Sequence, residues 1–588
     1  MRGKEARLSR LSVRCILRAR AQANAYFHRS LLLCVMRNRF ILALLMLLGA
    51  FRPVAAQLLQ PKPAFTRADS LRGGQSFLRT CYDLTYYHLD VKLDPAKRFI
   101  SGSNLFRFIA TQDFTRLQFD LFANLQVEKV LYQGKDLPFI REANAVFVTF
   151  PKSIVKGSRD EFTVQYSGNP IIAKKAPWDG GVVFTQDAAG KPWVATACQG
   201  TGASVWWPTK DQQADEVDSM LISVSVPTGL KDISNGRLRK VTMLKGGYTR
   251  FDWAVQSPIN NYDVALNVGD YQHFADTYAG EQGPLTLDYW VLPENVAKAK
   301  TQFAANVKPM LKSMEHWVGP YPFYADGYKL VDAPHLGMEH QSAVAYGNKY
   351  QNGYLGKDRS NTGWGLKWDF IIVHESGHEW FGNSITSKDI ADMWVHEAFT
   401  TYSEALFVES QFGKQAGQEY LHGQRRNIQN DQPIIGPYGV NREGSGDMYD
   451  KGSSLLNTLR TVINDDAKWR QLLRGLSRTF YHQTVTGQQV IDYFNRASGR
   501  DLTKIFDQYL RYRTIPTLEI RFENNQTLAR WVASVDKFDM PVRVRLKGGE
   551  YQFITPTTKF AAIKELAGAT RENLEVDTFN YYIGVLVD

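Results

Sequence analysis

The sequence predicts a multidomain α+β protein: an N-terminal β-sandwich-like domain, a mostly helical middle domain and a small C-terminal β-sandwich. Three observations carry this. The 588 residues exceed what one hydrophobic core holds, so about three domains are expected. Short apolar runs, some alternating, separated by Gly, Asn and Asp turns fill residues 75–270, and alternation returns after Pro516. Between them, from residue 290 to residue 512, apolar residues recur at helical spacing.

Residues 1–56 read as an export leader. Arg37 and Arg39 form a positive n-region, Phe40 to Phe51 an apolar h-region, and Val54-Ala55-Ala56 a small-residue cleavage site before Gln57. The h-region is too short to span a bilayer comfortably. Residues 1–35 are an unusual extension upstream of such a signal, which makes Met36 a candidate start. Cleavage would leave an exported protein, periplasmic or extracellular. Retention would leave a membrane anchor, so membrane contact is expected only through an uncleaved leader. The net charge of +11 is concentrated here: residues 1–56 hold 11 Lys and Arg against Glu5 alone, and the rest holds 59 basic and 58 acidic residues. A balanced remainder gives no electrostatic footprint for nucleic acid.

Residues 57–275 are read as the N-terminal β domain. Tyr86 to Leu93 ends in alternation, and Met220 to Val226 is a buried strand stopped by Pro227. Cys81 and Cys198 are the cysteines left after cleavage. One disulfide in an oxidising compartment and two buried thiols both fit them. No CxxC pair exists for a Cys-based zinc or redox site. Residues 276–514 form the middle domain. Glu294 to Trp317 has helical spacing with Pro309 as an expected kink, and helices are expected near 415–429 and over 449–463, 469–479, 487–497 and 502–512. Residues 515–588 form the C-terminal β domain, with alternation over Thr517–Phe522 and Val542–Leu546.

The chemistry concentrates in His374-Glu375-Ser376-Gly377-His378, followed after 18 residues by Glu397. On a helix, positions i and i+4 share a face, so both imidazoles reach one metal ion. Glu397 adds an anionic ligand from a later helix. Two His and one carboxylate, with a fourth place open, is a catalytic rather than a structural zinc set. HExxH alone arises by chance; its flanks reduce that. Phe370 to Val373 and Trp380-Phe381-Gly382 suit a buried helix with one polar stripe. Trp394 to Phe399 suits a second buried helix, whose carboxylate needs a cation or several donors.

On these residues the chain resembles the gluzincin zinc aminopeptidases, peptidase family M1 (the aminopeptidase N and leukotriene A4 hydrolase family), over most of residues 80–515. Tyr449-Asp450-Lys451-Gly452 resembles the family's Tyr-x-Lys-Gly element. Leu336-Gly337-Met338-Glu339-His340 resembles its GxMEN signature, with Leu336 in place of Gly and His340 in place of Asn. Cys198-Gln199-Gly200 with Trp206-Trp207-Pro208 is similar to a segment that brings a Gln to the substrate pocket. The resemblance implies a thermolysin-like catalytic domain over 276–514, one Zn2+ per chain on His374, His378 and Glu397, and peptide substrates with a free N-terminus. It implies Glu375 as general base, with Glu339 holding the substrate ammonium among Gly337 and Met338. Tyr449 is a candidate oxyanion donor or else a core tyrosine on a helix. Gln199 is a neutral acceptor or else a loop amide. Glu404, two turns after Glu397, holds a zinc-bound imidazole or is a surface carboxylate. His396 points away from Glu397's face and reads as packing; Asp389 and Asp392 read as loop solvation.

Three other functions compete. An endopeptidase would share the metal site, but an amine-binding Glu339 penalises a blocked terminus. A catalytically silent scaffold would not need the full ligand set. Lipid epoxide hydrolysis lacks its directing carboxylate, since Asn441 stands at that place.

Overall fold

The computed structural model describes residues 65–588; the leader and its cleavage site lie outside the described residues. The N-terminal region is built on an eight-stranded sheet. Its centre is the antiparallel pair Tyr82–Asp94 and Phe99–Ala110, with Ser219–Pro227 running parallel to the first strand at Leu89↔Ile222. Alternation decides which side chains turn inward: Leu89, Val91 and Leu93 are fully buried. They share one core with Phe119 and Val148 of a second, three-stranded sheet. The β-sandwich-like expectation therefore holds for this region. Cys81 and Cys198 are separate buried thiols.

The Pro192–Ala197 strand of a neighbouring four-stranded sheet runs straight into Cys198 and Gln199, which is how a β region delivers a side chain to the cleft. A five-stranded sheet follows, starting with Gln272–Gly280, so the border expected at 275/276 falls inside a strand. Its edge strand is Gly337–Met338. That strand lies so close to the motif helix that a Cβ on Gly337 would stand 2.7 Å from Glu375 Oε1 and 2.9 Å from Ile371 Cγ2. Only glycine fits there.

Helices dominate from Val296–Trp317, which carries Pro309 within its span. The motif helix is Phe370–Gly377, and Asp369 caps it, accepting from the Ile371 and Ile372 amides. The helix stops at Gly377, so Trp380-Phe381-Gly382 turns away instead of continuing it; Gly382 adopts φ +129° to make that turn. His378 keeps helical dihedrals as the last helical step, which preserves the i, i+4 pairing. Trp394–Phe412 carries Glu397, and Asp450–Ile463 packs beside it. The helix expected near 415–429 ends at Gln424. Ile372, Phe399, Leu459 and Phe494 belong to one core that also takes in Ile520, Trp531 and Val544 of the C-terminal sheets. Among the described residues, no helix is long and apolar enough to cross a membrane.

Candidate active site

The three motif ligands converge. His374 Nε2 lies 3.8 Å and His378 Nε2 3.4 Å from Glu397 Oε2. A tetrahedral ion with bonds near 2.0–2.1 Å holds its ligands about 3.3–3.4 Å apart, so the set needs little adjustment to take zinc. One carboxylate oxygen, Glu397 Oε1, accepts from Gln199 Nε2 at 3.0 Å. The other, Oε2, is buried and has no hydrogen-bond donor within bonding geometry among the described residues. Burial alone would raise this carboxyl, but the neighbouring His378 and His374 outweigh it and hold the group below its usual range. An anionic, donor-poor oxygen beside two imidazoles fits a divalent cation.

Each imidazole is aimed by its far nitrogen. His374 Nδ1 sits 2.7 Å from Glu404 Oε1, whose other oxygen accepts from Tyr420 Oη at 2.7 Å and Gln424 Nε2 at 2.9 Å. His378 Nδ1 lies 2.9 Å from the Phe381 carbonyl. Since a carbonyl only accepts, Nδ1 carries the proton there and Nε2 keeps its lone pair for the metal. Glu404 is fully buried.

Glu375 and Glu339 face the same space as His378, with one ligand atom from each residue within 4.8 Å of the others. Glu339 Oε1 accepts from Gln199 Nε2 at 2.5 Å, and its backbone carbonyl is pinned by Asn383 Nδ2 at 2.8 Å. Burial pushes the Glu339 carboxyl up to about 7, with His378 opposing and Glu397 adding. Burial, then the adjacent Glu339, raises Glu375 well above the carboxylate range. Positive charge brought between them offsets both.

Tyr449 is half-buried, and its ring stacks on His374 with centroids 6.1 Å apart. It is the residue preceding the Asp450–Ile463 helix rather than a member of it. The rest of its motif is structural. Lys451 Nζ donates to the Tyr512 and Arg513 carbonyls at 3.0 and 2.9 Å. Gly452 lets that helix approach the Glu397 helix, where an added Cβ would stand 2.5 Å from Ala398 Cβ.

His374, Glu375, His378, Glu397, Glu339, Gly337, Met338, Gln199 and Tyr449 all line one cavity of about 150 Å³. Glu404 stands behind it. Leu336 lines it too, whereas His340 is fully buried and neither ring nitrogen has a hydrogen-bond partner among the described residues. His396 is packing: its Nε2 accepts from the Ser387 amide at 2.8 Å. Asp392 corrects the sequence reading. It is buried and accepts from the Gly487 amide, Tyr438 Oη and Trp394 Nε1, so it ties segments together instead of being solvated. Asp389 likewise accepts from the Ala391 and Gly439 amides. Asn441 donates to the Gly200 carbonyl at 2.9 Å, bracing the Gln199 loop. Sequence reading missed Trp178, Tyr354, Arg359 and Glu443, which line the same cavity. They come from irregular segments with no spacing signal to mark them.

Residues 305–509 match the Peptidase family M1 domain. The chain is 23% identical to aminopeptidase B of Rattus norvegicus over 377 residues, covering 61% of this chain and 53% of that protein. It is 24% identical to leukotriene A-4 hydrolase of Xenopus laevis over 437 residues, covering 69% and 67%. The chain thus spans about half the length of the aminopeptidase B it matches. The M1 zinc metallopeptidase from Deinococcus radiodurans has a similar fold, with a TM-score of 0.62, 21% identity, and coverage of 76% of this chain and 97% of that one. The matched domain, the shared fold and the convergent His374, His378 and Glu397 make residues 305–509 a peptidase family M1 domain of the gluzincin zinc metallopeptidases.

Proposed function

We propose that this chain is an exported zinc aminopeptidase that removes N-terminal residues from peptides. The observation that carries the reading is the carboxylate of Glu339, buried beside the metal ligands and held by Gln199. A substrate α-ammonium is the cation that such a carboxylate receives best. Its distance from the metal ligands selects the first peptide bond. The relatives named aminopeptidase support this activity.

Zinc, when bound, polarises the scissile carbonyl and lowers the pKa of water. The residues of the chain do the rest. Glu375 takes a proton from the attacking water and returns it to the leaving amine. Tyr449 Oη donates to the oxygen that becomes negative. Gly337 and Met338 offer an edge strand along which an extended peptide lies. Gln199 fixes the Glu339 carboxylate and presents its own amide oxygen to the ammonium. Export rests on the leader in residues 1–56; a mature N-terminus at Gln57 is the expected product, and N-terminal sequencing of the secreted protein tests it.

Kinetics on aminoacyl amides with and without N-acetylation test the activity. Free termini should be cleaved and acetylated ones spared by at least about a hundredfold. Equal turnover of both would make the enzyme an endopeptidase. Glu375→Gln should keep zinc and lose about 10²–10⁴ in kcat; near-normal turnover by that variant would refute the mechanism.

A further inference from the structure

The cleft holds a cation that none of the roles above uses. Arg359 lines the cavity beside His374 and Tyr449. Its guanidinium lies 5.4 Å from the centroid of the Phe370 ring. Phe370 in turn stacks on His374, centroids 5.2 Å apart and planes 15° apart. The guanidinium therefore stands one aromatic ring away from a metal ligand. Nη2 donates to Asp450 Oδ2 at 2.9 Å, and Asp450 is anchored at the start of the helix that follows Tyr449. Nε and Nη1 have no hydrogen-bond partner among the described residues.

Another part of the same cavity lining has the opposite chemistry. Gln199 and Glu339 approach it through Glu397 Oε1, whereas Arg359 approaches through Phe370 and His374. For a peptide bound by its ammonium at Glu339, with its first carbonyl at the metal, Arg359 is the cation in the same cavity lining that its far end could meet. An extended residue spans about 3.3–3.6 Å. One ring's separation from a metal ligand is therefore crossed by about two residues beyond the scissile bond. Tying the loop to Asp450 uses Nη2 and leaves Nε–H and Nη1–H as donors that a carboxylate can meet one at a time.

We propose that Arg359 captures the free α-carboxylate of short peptides, so that this chain's preferred substrates are tripeptides bound at both ends. The proposal rests on the aminopeptidase reading above. The test compares leucyl-glycyl-glycine with its C-terminal amide, in the zinc-loaded protein and in Arg359→Met and Arg359→Lys. The native protein should favour the free acid by about tenfold or more in kcat/KM, chiefly through KM, and the preference should shrink in high salt. Arg359→Met should bring the ratio to about one, and Arg359→Lys should restore part of it. Equal kcat/KM for acid and amide in the native protein overturns the proposal, as does a ratio that Arg359→Met leaves unchanged. The native measurement requires no variant to fold. If the native protein cleaves neither substrate, the aminopeptidase reading itself has failed; if it cleaves both equally, only the carboxylate site has.

Discussion

Glu404 Oε1 lies 2.7 Å from His374 Nδ1, and both residues are buried. Tyr420 and Gln424 hold the same carboxylate from its other side. The imidazole thus has one orientation, with Nε2 towards Glu397. Glu404→Gln, which weakens this acceptor while keeping its shape, should lower zinc affinity about 10–100-fold. Competition with a chelator of known affinity measures this, and unchanged affinity would make Glu404 a packing residue only.

Tyr449 is placed by the ring of His374 and by the start of a helix. Tyr449→Phe should therefore keep the ring and the zinc and lose the donor. A fall in kcat of about 10²–10³ with KM nearly unchanged is expected. A rise in KM at constant kcat would move Tyr449 to substrate binding.

Gly452→Ala sets two effects against each other. Alanine gains up to about 1 kcal/mol in helix propensity. Its Cβ would stand 2.5 Å from Ala398 Cβ between two buried helices, and overpacking of that kind costs about 1–3 kcal/mol. The clash should win, and the thermal midpoint should fall. Adding Ala398→Gly should recover most of the loss; failure to recover would place the strain elsewhere.

His340 makes acid stability a readable quantity. Burial pushes its imidazole down to about 3, with His335 adding in the same direction. The unfolded chain takes up a proton near pH 6.5 that the folded chain refuses. The unfolded state therefore binds more protons between pH 6.5 and pH 3, and stability falls as pH drops through that window. His340→Asn should flatten the fall by up to about 1.4 kcal/mol per pH unit. Denaturant midpoints of both proteins between pH 6.5 and pH 4.5 test this. Parallel curves would show that His340 is already charged in the fold.

The metal triad was legible because its geometry is mostly local. His374 and His378 share a face through the helical period alone, and a buried carboxylate on the next apolar helix had to answer to them. Glu404 was legible as a candidate for the same reason, seven residues after Glu397. Its burial was not, since a helical spacing says nothing of what packs outside it. Asp392 illustrates the converse. A polar residue in an irregular segment reads the same whether water or buried amides satisfy it, and here Gly487, distant in sequence, supplies one of those amides.

By itself the sequence marked His374, His378 and Glu397 as a candidate ligand set, with Glu375 between the two imidazoles, and the β, helical, β order of the chain, because these follow from repeats of two or 3.6 residues and from the cost of burying a charge. Only the tertiary structure decided that Gln199, delivered by a strand of the N-terminal region, touches both Glu339 and Glu397, and that Arg359 lines the same cavity. Those meetings depend on long-range packing, in which residues far apart along the chain become neighbours, and no local period records them.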